Sequence, residues 1–137
     1  MKQVDELIRG EMSAVQSIDA LLKNINDRNE QQKLNSIRMD HEKAVSLLNR
    51  FSRGDVKGDV SSSGPWGTLA TAFTGGASFF GDKAALNALK IGEQHGINEY
   101  KEALASDDVN LELKEVIRAE LIPQQEMHLK MIDGFLQ

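Results

Sequence analysis

Apolar residues return every three or four positions along most of this chain, and that helical period constrains its fold more than any single motif. A first stripe runs from Val4 through Leu7, Ile8, Ala14, Ile18 and Leu21 to Ile25. It predicts a helix over about 3–25, halted in "NINDRNE", where Asn and Asp side chains compete for backbone hydrogen bonds. A second stripe of Leu34, Ile37, Ala44, Val45, Leu48 and Phe51 predicts a helix over about 29–52. The connection between them is short, so the two should pack antiparallel. A third helix is expected over about 82–105, N-capped by Asp82, with Leu86, Leu89, Ile97, Tyr100 and Leu104 on its apolar side. A fourth, over about 110–135, carries Leu113, Ile117, Leu121, Met131 and Phe135, and holds Pro123 in its interior. Proline lacks an N–H and clashes with the carbonyl four residues back, so a kink or bulge is expected near Ala119.

The segment between the second and third helices, 54–81, breaks the period and is rich in Gly and Ser. It reads as a crossover, with a short helix opened by Pro65 that sets Trp66, Leu69 and Phe73 on one side. Two short-looped hairpins joined by a long crossover form an all-α four-helix bundle, and 137 residues are enough for one domain over 1–137 with a core of its own.

Written out turn by turn, the four stripes share an anomaly. Glu11 falls on an inward slot of the first helix, His41 of the second, Glu93 of the third and His128 of the fourth, whose stripe steps through 117, 121, 124, 128, 131 and 135. Each helix thus offers the interior one residue able to bind metal. The hairpins are also alike: "GEMSAVQSIDALL" lies in step with "GEQHGINEYKEAL", and "HEKAVSLL" with "HLKMIDGF". Loop midpoints put Glu11 level with His41, but leave His128 about a turn from the level of Glu93 unless the irregularity at Pro123 absorbs the difference.

Other chemistries lack their residues. The chain has no cysteine, which excludes disulfides and thiolate metal sites. Its net charge of -5, with no run of lysine and arginine, argues against nucleic acid as a partner. No window approaches the roughly 18 apolar residues of a spanning helix, and "MKQVDELIRGEM" has no signal-like apolar run, so a soluble cytoplasmic protein is expected. There is no nucleophile paired with a base, and "SSSGPWG" lacks the Gly-Lys-Ser/Thr ending of a phosphate loop. The balance therefore leans away from an enzyme. His95, Glu120 and Glu126 read as surface, while Met12, Met39, Met127 and Met131 read as packing residues.

The helix order, the Trp-containing crossover, the "GE" of the third helix and the late proline resemble the ferritin-like superfamily, in particular its small bacterial four-helix bundles of unknown function. The resemblance implies an up-down-down-up bundle. It also implies an interior metal site, which in that superfamily takes a Glu from each of two helices and Glu-x-x-His from the other two. Glu11, Glu93, His41 and His128 match that pattern, but the positions three before the histidines hold Arg38 and Gln125. Two adjacent iron ions need bridging carboxylates to offset their charge, so a di-iron centre is not expected.

Three roles follow as expectations. The first is a bundle with a degenerate interior Glu/His site and a structural or binding role, its glutamates paired with the histidines or with Arg38. The second is a metal-binding or redox protein holding Fe, Mn or Zn through two Glu and two His. The third is an interaction module, such as a homodimer, using the crossover face of Trp66, Leu69 and Phe73.

Overall fold

The computed structural model of the chain describes residues 2–52 and 82–136. The expected crossover helix, with Trp66, Leu69 and Phe73, lies outside them. Helix α1 spans Lys2–Leu22, α2 Arg28–Asn49, α3 Asp82–Leu104 and α4 Leu111–Val116; α4 passes through a π-helical turn, Ile117–Leu121, into α5, Ile122–Leu136. Among the described residues the structure is all-helical, with four helical rods and no strand. None of these helices is long and apolar enough to cross a membrane.

Local chemistry sets the ends. The α1 helix stops at Leu22, short of Ile25, and the Asn24 side-chain amide bonds back to the Ala20 carbonyl at 3.3 Å. Ile25 stays buried and plugs the turn. Asp27 then caps α2 by accepting the Glu30 N–H at 3.0 Å, and Asn110 caps α4 by accepting the Leu113 N–H at 2.8 Å.

Two apolar clusters fill the interior. One joins Ile18 and Leu21 late in α1 to Leu34 and Ile37 early in α2, Leu86 and Leu89 early in α3, and Ile132 late in α5. The other joins Val4 and Ile8 to Leu48, Tyr100 and Leu113 at the opposite end. This grouping requires α1 and α5 to run one way and α2 and α3 the other. Along every rod, the buried ionisable residues, and Gln125 with them, fall between the two apolar clusters.

The irregularity near Pro123 is a π turn. The Ile122 N–H reaches the Ile117 carbonyl, five residues back, so the turn holds one residue more than an α-helical one. This resets the phase of the last rod. Of the expected inward positions His128 is buried, but Gln124, Met131 and Phe135 are only partly covered, and the buried Gln125 and Ile132 take their places. A second correction concerns Met39 and Met127, which lie exposed on the outer faces of α2 and α5 rather than packed.

Candidate metal centre

Between the two apolar clusters lies a hydrogen-bonded chain that visits all four rods. His41 is its middle. Nδ1 of the ring lies 2.5 Å from Glu11 Oε2 on α1, and Nε2 lies 2.6 Å from Glu93 Oε1 on α3. The second oxygen of Glu11 accepts the Tyr100 hydroxyl at 2.7 Å. The second oxygen of Glu93 accepts Gln125 Nε2 at 2.9 Å and faces His128 Nδ1 at 3.4 Å. His128 turns Nε2 to Asp40 Oδ2 on α2, at 2.9 Å. Glu11, His41, Glu93, Gln125 and His128 are all buried, and Asp40, with 28% of its side chain accessible, meets solvent.

The electrostatics follow from that burial. Taking His41 out of water disfavours its charged form, but the charges of Glu93 and Glu11 and their hydrogen bonds outweigh this and hold its pKa well above the usual value. Burial likewise pushes Glu93 up, yet the facing His41 charge and the hydrogen bonds from His128 and His41 leave it well below the usual carboxylate range. Metal-free, His41 is therefore an imidazolium donating one N–H to each glutamate. Burial, then the negative charge of Glu11, pushes the Tyr100 phenol well above its usual value, so Tyr100 donates to Glu11 as a neutral hydroxyl.

The geometry also has the makings of a metal site. One donor atom each from His41, Glu93 and His128 lies within 4.8 Å of the other two. His41 and His128 both turn one ring nitrogen toward Glu93 and hold the other against a carboxylate, Glu11 for His41 and Asp40 for His128. That outer carboxylate is what orients a ligating imidazole and raises its basicity.

The structure brings Glu11, His41, Glu93, His128 and Gln125 together. Glu11 stands behind His41, on the far ring nitrogen, and is not one of the three clustered donors. Arg38 does not enter the interior: it turns outward between Asp19 and Glu42 and pairs with both, which corrects the expectation of an ion pair with Glu11 or Glu93. The position of Arg38 at the rim of α2 lets its long stem reach α1 instead. Glu120 and Glu126 are exposed, and His95 sits at the surface, 3.3 Å from Glu99.

Sequence reasoning missed two members. Tyr100 reads from its stripe only as a packing residue, although a tyrosine on an inward stripe brings a hydroxyl that needs a partner. Asp40 carries no signal beyond its adjacency to His41, because its partner lies on another helix. Comparison of the chain with family models, curated proteins and solved structures finds no match in any of the three.

Proposed function

We propose that this chain is a ferritin-like, up-down-down-up bundle that holds a single divalent transition-metal ion in its interior. His41 through Nε2, His128 through Nδ1 and the Glu93 carboxylate are the ligands, a donor set that suits Zn, Mn or Fe. The observation that carries this reading is the paired outer carboxylates. Glu11 and Asp40 each fix one imidazole with its remaining nitrogen on Glu93, the orientation a ligand needs. Arg38 points away, so no guanidinium competes with a cation. The opposed helix directions and the long connection between α2 and α3 support the ferritin-like arrangement. Within it, the ion would act as a Lewis acid or, if iron or manganese, as an electron carrier.

A specific observation also favours a metal-free reading. His41 already bridges two carboxylates at 2.5 and 2.6 Å, an internal ion pair suited to a structural or binding bundle that has lost its metal. Protein purified without chelator and titrated with Zn, Mn or Fe separates the two. A native-state ligand at 100 times its Kd stabilises by about 2.7 kcal/mol. For a chain of this size that raises the melting midpoint by roughly 8–13 °C, and His41→Ala should abolish the rise. No stoichiometric metal after reconstitution and an unmoved midpoint would leave the ion-pair reading in possession.

A further inference from the structure

Within the buried network, the amide of Gln125 is only half satisfied. Its Nε2 donates to Glu93 Oε2 at 2.9 Å and approaches the Glu93 backbone carbonyl at 3.3 Å, but its Oε1 has no hydrogen-bond partner. The side chain is 3% accessible. An unmatched buried carbonyl costs free energy that a leucine of similar size would not. The fold also makes room for this amide. A Cβ on Gly96 of α3 would fall 2.5 Å from Gln125 Nε2 and 3.2 Å from Oε1, so any side chain there would displace it. The π turn that buries position 125 in place of 124 completes the arrangement.

We propose that Gln125 is the fourth ligand of the interior site, through Oε1, and that Gly96 is its positioning residue. This rests on the single-ion reading given above. A half-turn about the last side-chain bond exchanges the two amide atoms. Against a bare Glu93 carboxylate the exchange is repulsive, since it sets oxygen against oxygen; against a carboxylate that holds a cation it is favourable. The result is a donor set of two nitrogens and two oxygens. Its fourth donor is neutral, so it adds a bond without adding charge, which suits one divalent ion and gives a second ion no bridging carboxylate.

Cobalt(II) alone serves as the probe, because the intensity of its visible bands reports coordination number. Wild type is expected to take up one cobalt with strong bands. In Gln125→Leu, binding should weaken at least about tenfold and the bands should change in intensity. The metal-free melting midpoint is measured alongside, because the change removes both an unmatched carbonyl and the Nε2 donation to Glu93. Gln125→Glu, which restores an oxygen donor, should recover the bands, and Gly96→Ala should behave as Gln125→Leu does. Cobalt uptake by wild type with an unchanged Kd and spectrum in Gln125→Leu overturns the role of Gln125 and spares the three-ligand site. Failure of wild type to take up cobalt overturns both.

Discussion

Glu99 provides a test of the electrostatics that does not depend on metal. Its carboxyl leans from α3 onto α1 at Gly10, where a Cβ would come within 3.1 Å of Oε1, and 23% of the side chain stays accessible. Burial, and then the charges of Glu102, Glu6 and Glu11, raise its pKa from 4.5 to about 7. His95 Nε2, 3.3 Å away, faces this carboxyl. Below pH 4.5 the group is protonated whether the chain is folded or not. Between 4.5 and about 7 the unfolded chain gives up a proton that the folded one keeps, so stability falls as pH rises. Above that the loss is complete. At about 1.36 kcal/mol per pH unit the interval corresponds to about 3 kcal/mol, which access to solvent reduces to about 2. Glu99→Gln should remove this loss. Its melting midpoint should match wild type near pH 4.5 and exceed it by roughly 6–10 °C at pH 8, measured by circular dichroism across the range with chelator present. A difference that stays constant with pH, or a variant less stable than wild type at pH 8, would refute the reasoning.

Two further substitutions probe the core. In chelator, His41→Leu leaves Glu11 and Glu93 buried without their shared cation, at a cost of about 3–5 kcal/mol; a urea midpoint that implies less than about 1 kcal/mol would show that the carboxylates find other partners. The wild-type contribution of this network has a pH window: the Glu93 part is present above 4.5 and lost as pH falls through its depressed folded value, while the His41 part is complete below 6.5 and lost as pH rises through its raised one. The penalty of His41→Leu should therefore peak between those limits. Leu34→Ala, at a fully buried position in the cluster nearer the α1–α2 turn, should cost about 2–5 kcal/mol by denaturant unfolding, with the metal site, if loaded, keeping its stoichiometry.

What could be read in advance divides along physical lines. Helical stripes are legible because a helix must bury one face at a fixed period, and a polar residue on such a stripe stands out for the same reason. Glu11, His41, Glu93 and His128 were visible in that way. The register of the last rod was not, because Pro123 signals a disturbance without specifying its form. Only the π turn reveals that Gln125 goes inward in place of Gln124, and with it how His128 comes level with Glu93. The direction of Arg38 was also beyond reach. Periodicity places a Cα on a helix, but a long side chain chooses among partners on neighbouring helices, and here Asp19 and Glu42 win.

That choice changes the charge count on which the sequence argument turned. With Arg38 counted inward and the carboxylate three residues before His41 missing, the interior looked too poor in negative charge for metal. The structure removes the guanidinium and supplies a carboxylate from a position the expected spacing does not mark, Asp40, through His128. Three carboxylates, Glu11, Glu93 and Asp40, then face two imidazoles. If His41 gives up its extra proton, that set retains more than enough negative charge for one divalent cation. It remains short of the four positive charges of two, so the substitutions that argue against a di-iron centre do not argue against a single ion.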